Sequence, residues 1–197
     1  MAALIRLQQL LDRTRAVDFL SPLALRLYLV PVFWVSGMNK LEHFGDTAAW
    51  FGNPEWGLGL PMPGLMAGLA TASEVGGAVL LLLGLGVRWI SIPLMFTMLV
   101  AIFKVHWQNG WQAIADPNSP FPPADIDQIM ERLEAARQIL QQYGNYDWLT
   151  ASGPFVISNN GIEWAVTYLV MLLALFFVGG GRFVSLDYWL RRRYMGS

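Results

Sequence analysis

The 197-residue chain contains no cysteine. That absence excludes disulfides, thiolate nucleophiles, thiol relays and cysteine-held iron–sulfur clusters, so any redox chemistry must run through a bound cofactor. Charge is scarce as well: 14% of residues are charged against 55% hydrophobic, with a mean hydropathy of +0.42. Such a chain is too apolar for an ordinary soluble domain and is expected to be a polytopic membrane protein. The net charge of −1 leaves no basic surface able to neutralise several phosphates, which excludes a nucleic-acid partner. Histidine occurs only at His43 and His106, without the spacing of a metal or c-type haem motif, so haem or metal is the less favoured cofactor and no metal ligands are assigned. A glycine-rich phosphate loop, a nucleophile elbow and a metalloprotease helix are all missing. Gly179, Gly180 and Gly181 follow an apolar helix instead of a strand, which rules out a dinucleotide site.

What the chain does contain is long apolar runs. Four are expected to cross a bilayer, at about 23–41, 62–87, 89–107 and 162–180. The first carries Pro31, and Arg26 lies near enough to its start to snorkel into the headgroups. The second has a single charge, Glu74, and a stripe of Gly64, Gly68, Ala72 and Gly76 where a neighbouring backbone should come close. Ala67, Ala70 and Ala78 flank Glu74 on the opposite face, which predicts a central helix packed on two sides. The residues before the first span alternate charges with leucines at helical spacing, which predicts a surface-lying amphipathic helix and no cleavable leader. Between Glu42 and Pro61 the aromatic, Gly- and Pro-containing stretch suits an interfacial segment or a re-entrant turn.

Residues 108–161 are polar. A proline cluster from Pro117 to Pro123 precedes a segment in which Ile126, Ile129, Met130, Leu133 and Leu140 share one helical face, and Gly144 ends it. This predicts an amphipathic helix outside the membrane, lying across the mouth of the bundle. The fold expected is therefore all-α: one integral membrane four-helix bundle spanning 1–197, with an N-terminal amphipathic helix and an extracytoplasmic helical insert between spans three and four. Arginines at 6, 13, 15, 26, 88, 182 and 191–193 fall on one side, so the positive-inside rule puts both termini in the cytoplasm of a multi-pass inner-membrane protein.

Polar residues gather near the other end. Lys40 closes span one, Lys104 and His106 lie in the outer third of span three, Asn109 follows, and Glu163 opens span four. Glu74 is deeper, about ten ångströms below Lys104 for straight helices. Unpaired charges at that depth cost at least a few kcal/mol, so lysines and glutamates are expected to pair in an outward-facing polar pocket. Glu74, Lys104 and His106 are the candidate catalytic residues; Lys40, Trp34, Asn109 and Glu163 are candidate ligand-binding residues. Arg26 is the rival partner of Glu74, a pairing that would free Lys104 for an anionic ligand. Lys40 and Glu163 equally suit interface anchoring, whereas Glu74 is read first as functional or structurally essential, with a protonated acid in a helix-packing hydrogen bond as the lesser alternative.

Ser36, Gly37 and Lys40, the ASEVGG run from Ala72 to Gly77 with its glutamate, LLLLGLGVR from Leu80 to Arg88, and His106 together resemble the DoxX family of small four-helix membrane proteins. The insert beginning NGW at Asn109 and the NNGIE run from Asn159 to Glu163 are similar to the branch that accompanies copper-binding secreted peptides and their maturation proteins. The resemblance implies a four-helix membrane fold, an association with quinone-linked oxidation or membrane oxidoreductase complexes, and matching positions at Lys40, Glu74, Arg88 and His106. Three functions stand at this point. One is a redox-associated membrane subunit binding a quinone or similar small molecule; a second is a non-catalytic partner or maturation factor for a periplasmic or metal-binding protein. The third is an ion or transport pathway through a homodimer. Whether the chain is an enzyme is left open by the sequence.

Overall fold

The computed structural model describes residues 1–196, apart from the side chains of Ala2 and Ala3; Ser197 lies outside the description. Among the described residues the protein is all-helical. Its helices are α1 (Ala2–Arg13), α2 (Leu20–Glu42), α3 (Phe44–Gly52), α4 (Pro63–Leu83), α5 (Val87–Val100), α6 (Ile126–Tyr143), α7 (Tyr146–Leu149), α8 (Glu163–Val178) and α9 (Leu186–Tyr194). Beyond α5 the chain continues as a π-helical segment, Ala101–His106, and a 3-10 turn, Trp107–Asn109. Three stretches are long and apolar enough to cross a membrane, Leu20–Glu42, Pro63–Leu83 and Val87–Asn109, while Glu163–Val178 is a shorter apolar helix.

The chain divides into two compact units, Met1–Met98 with Tyr168–Ser197, and Leu99–Thr167. In the first, Leu29 and Phe33 of α2, Ala78 and Leu81 of α4, Val87 and Leu94 of α5, and Leu172 and Leu175 of α8 form one buried apolar cluster. Each helix contributes positions three, four or seven apart, the spacing that keeps one face inward. The α1 helix leaves Leu4, Ile5, Leu7, Leu10 and Leu11 exposed, an apolar surface of the kind that lies in a bilayer interface.

At one end of this unit a polar knot joins four chain segments. Gly84 closes α4 in the left-handed conformation (φ 66°). Arg26, 0% exposed, donates from Nη1 to Leu81 O (3.2 Å) and from Nη2 to Val184 O (2.9 Å). It does not snorkel to headgroups, and it is not the partner of Glu74. The carbonyls at the end of α4 and in the turn before α9 offer a buried cation what lipid phosphate would have offered an exposed one. Both carboxylate oxygens of Asp187 accept from the amides of Gly86 (2.7 Å) and Val87 (3.0 Å), satisfying the open donors at the start of α5. The Ser185 hydroxyl accepts from Tyr188 N and so caps α9.

The small-residue stripe of α4 behaves differently from expectation. No other element comes within 4 Å of a Cβ placed at Gly64 or Gly76, and Gly68 meets only the edge of the Phe44 ring at 4.0 Å. The opposite stripe of Ala67, Thr71, Glu74, Gly77, Ala78 and Leu81 is the buried one. Close approach occurs at Gly77 against Leu94 of α5, and at Gly37 of α2 against α4. In this chain α4 is thus packed on one side, and its glycine stripe lies open. The stretch from 42 to 61 holds α3, with Phe51 buried and Leu60 N donating back to Phe51 O (2.8 Å).

The second unit has its own organisation. Residues 110–115 pair antiparallel with 157–163, Ala115 N donating to Ile157 O (3.0 Å), Gly161 N to Gln112 O (2.8 Å) and Ile162 N to Gly110 O (3.0 Å). Ile129 and Leu133 of α6 are buried, with Ile126, Met130 and Leu140 half-buried beside them, so the predicted apolar face is the one the helix uses. Arg137 ties α6 to Phe155 O (2.9 Å).

Candidate functional site

In the first unit, two of the predicted residues meet. Lys40 Nζ lies 2.8 Å from Glu74 Oε2 and donates also to Ser36 Oγ at 2.7 Å. The Glu74 side chain is 4% exposed and that of Lys40 21%, so the carboxylate is enclosed and the ammonium is reachable from outside. Local sequence explains the geometry. Ser36, Gly37 and Lys40 fall on the interior stripe of α2, the lysine one turn beyond the serine. Gly37 lets α2 and α4 touch: a Cβ there would sit 2.8 Å from Val75 Cγ2, 2.9 Å from Val75 N and 3.0 Å from Glu74 Cβ.

Gly37→Ala should therefore push the helices apart by a few tenths of an ångström and cost about 1–3 kcal/mol, as overpacking does. Gly76→Ala, with open space around it, should leave stability unchanged or slightly raised. Unfolding of the two variants in mixed micelles checks the contrast; equal effects would mean that the α2–α4 approach at Gly37 is not tight.

A cleft of about 340 Å³ lies along α4, lined by Gly68, Thr71, Ala72, Val75 and Gly76 together with Leu41 of α2 and Phe44 of α3; Lys40 and Glu74 are beside it and not in its lining. Leu41 follows Lys40 in sequence and Val75 follows Glu74. The lining is apolar apart from Thr71, whose hydroxyl is engaged with Ala67 O (2.8 Å). The open glycine stripe of α4 is what leaves this space. Trp34, the expected pocket wall, is 44% exposed. Cleft residues Phe44 and Thr71 carried no polar or spacing signal in the sequence; the gap appears only once α3 has folded beside α4.

The remaining predicted residues belong to the second unit. His106 Nδ1 lies 2.9 Å from Asn160 O, and Asn109 Nδ2 donates to the same carbonyl at 3.0 Å. Asn159 Nδ2 donates to Asn109 O (2.7 Å) and Gln112 O (2.8 Å), while Glu163 Oε2 accepts from Ala113 N (2.9 Å). His106, Asn109 and Glu163 thus fasten the paired segments at the foot of the insert. Asn160, at φ 56°, presents the shared carbonyl. Lys104, in the π-helical segment, is exposed and makes no hydrogen bond or ion pair among the described residues. His43 Nδ1 lies 3.1 Å from Asn39 O, at the junction of α2 and α3. Among the described residues, no three His, Cys, Asp or Glu side chains converge as a metal site would require.

An all-helical chain with three membrane-capable helices and an ion pair enclosed between two of them defines an integral membrane protein. Residues 21–107 match the family model described as DoxX. That match takes in α2 to α5 and both members of the Lys40–Glu74 pair. No curated protein and no solved structure matches the chain.

Proposed function

We propose that this chain is a DoxX-family subunit of a membrane oxidoreductase assembly that binds a quinone-class ligand in the α2–α4 cleft, beside Lys40 and Glu74. The observation that carries this reading is an enclosed carboxylate joined to a partly exposed lysine, each followed in sequence by a residue, Val75 and Leu41, that lines a largely apolar cleft. A flat, lipophilic dicarbonyl needs such a combination: apolar walls for the ring and tail, a donor for one carbonyl, and a carboxylate to take or return a proton. The quinone would supply the electron-carrying chemistry. The chain's part is to orient the ligand with Lys40, hold a proton at Glu74, and keep water away with Phe44 and Val75. In the topology that goes with this reading, α8 is the fourth span of a bundle in the inner membrane, the arginine-rich end faces the cytoplasm, and residues 108–161 lie outside.

A non-catalytic role receiving an exported protein is the second reading. It is favoured by Ile139 and Tyr143, one helical turn apart on α6 and 59% and 79% exposed, with Trp148 of α7 73% exposed.

The deciding experiment is purification of the full chain in mild detergent, with an absorbance spectrum, native mass spectrometry and incubation with a short-chain ubiquinone. The wild type should hold about one quinone per chain. Glu74→Gln, which keeps size and hydrogen-bonding capacity, should weaken retention about tenfold or more, the worth of a charged hydrogen bond. A wild type that takes up no quinone, or a folded Glu74→Gln protein that retains it equally, would overturn the proposal and turn attention to crosslinking through residues 108–161.

A further inference from the structure

The arginine-rich end holds a second cavity, of about 320 Å³, where the first residues of α2, α5 and α9 meet the end of α8. Arg88, Arg182 and Arg191 line it, opposed by Asp18 and Asp187. The aspartates are already engaged. Asp18 Oδ1 takes two bonds from Arg182, at 2.7 and 3.0 Å, and both oxygens of Asp187 hold the amides of Gly86 and Val87. Three arginines against two aspartates leave one net positive charge, and it resides on heads with capacity to spare. Arg88 spends only Nε, on Phe176 O (2.8 Å), and the Arg191 side chain has no partner among the described residues.

Backbone donors add to this. Among the described residues the amides of Gly180 and Gly181 make no hydrogen bond, although Gly180 is buried, and an unpaired buried N–H demands a partner. Gly179 and Gly181 have φ of 80° and 89°, a backbone form that builds anion-holding concavities from successive amides. One wall is different in kind: Phe177 and Val178, the last residues of α8, are 70% and 66% exposed, as lipid-facing positions are.

We infer that this cavity binds the phosphate of an anionic phospholipid headgroup, held by Arg88, Arg191 and the amides of Gly180 and Gly181, with the acyl chains running along α8 past Phe177. Its volume lies at the low end of the ~300–1,000 Å³ usual for small-ligand sites, room for a headgroup and not for a whole lipid. Its place at the ends of apolar helices is the depth at which lipid phosphates lie. A free phosphate ester shares the anionic chemistry but has no use for the apolar wall.

The test is native mass spectrometry of the full chain in phosphate-free detergent buffer, titrated with dioleoyl phosphatidylglycerol or dioleoyl phosphatidylcholine. Phosphatidylglycerol should bind one-to-one in preference to phosphatidylcholine. Arg191→Gln, which removes no internal bond, should weaken it about fivefold, and Arg88→Gln by a similar factor. Arg192→Gln with Arg193→Gln, changed outside the cavity, should leave binding unaltered. Equal binding of the two lipids, or an unaffected Arg191→Gln protein, would overturn the assignment. Displacement of phosphatidylglycerol by millimolar inorganic phosphate or glycerol 3-phosphate would overturn the lipid in favour of a water-soluble phosphate.

Discussion

Lys40→Met is expected to destabilise the first unit by about 3–5 kcal/mol, because it strands the Glu74 carboxylate without its cation in an enclosed position. Water cannot replace the lysine there, since the side chain of Glu74 is 4% exposed. Glu74→Gln should cost less, about 1–3 kcal/mol. The freed ammonium keeps Ser36 Oγ at 2.7 Å and is itself partly exposed, so the charge left behind is hydrated. The double variant, Lys40→Met with Glu74→Gln, should recover much of the loss of Lys40→Met alone, since it removes both charges together. Denaturant unfolding in mixed micelles across the four proteins gives the coupling directly. A Lys40→Met protein within about 1 kcal/mol of wild type would mean that the pair behaves as an exposed surface bridge, worth little, and would remove the support for an ionisable centre between α2 and α4.

Gly84→Ala should be comparably damaging, through geometry instead of charge. Gly84 has φ 66°, where an L side chain costs about 1–2 kcal/mol. A Cβ there would overlap Arg26 Nη1 and approach Ser185 Cβ at 2.6 Å and Cα at 2.8 Å. Arg26 would have to leave Leu81 O and Val184 O, giving up charged hydrogen bonds worth about 1.5–3 kcal/mol. The expected total is about 3–5 kcal/mol. Gly86 is the internal control: its φ is 59°, yet nothing lies within 4 Å of the added Cβ, so Gly86→Ala should show the backbone cost alone. Comparable melting of the two variants would mean that the Arg26 knot does not hold the end of α4.

How far the sequence could be read depended on the range of the interaction. Helix positions were legible because apolar runs and their Gly, Pro and charge boundaries are local: Leu20–Glu42 and Pro63–Leu83 lie within a few residues of the expected spans. The apolar face of α6 was legible too, since Ile126, Ile129, Met130, Leu133 and Leu140 recur at helical spacing. Arg26 was misread because proximity to a helix end suggests snorkelling, whereas its partners are carbonyls 55 and 158 residues away. The glycine stripe of α4 was misread because small residues permit close approach without requiring it. The partner of Gly37 is the backbone at Val75, and nothing near Gly64 or Gly76 in sequence signals open space. The cap at Ser185 and Asp187 had a signal, a serine followed by an acid at a helix start, hidden among aromatic and arginine residues.

By itself, then, the sequence determined that the chain is helical and membrane-suited, and that Glu74 needs a partner inside the membrane, a cation for the charged form or a hydrogen bond for the protonated one. Burial of a charge in an apolar helix leaves few alternatives. Which cation it finds was decided only in the tertiary structure. Lys40, Lys104 and Arg26 were all candidates, and the choice fell to packing: Gly37 brings Lys40 against α4, the carbonyls of Leu81 and Val184 claim Arg26, and Lys104 pairs with no carboxylate among the described residues. The same holds for the two cavities, which exist because particular helices stop short of touching, a property of their spacing and of no single residue.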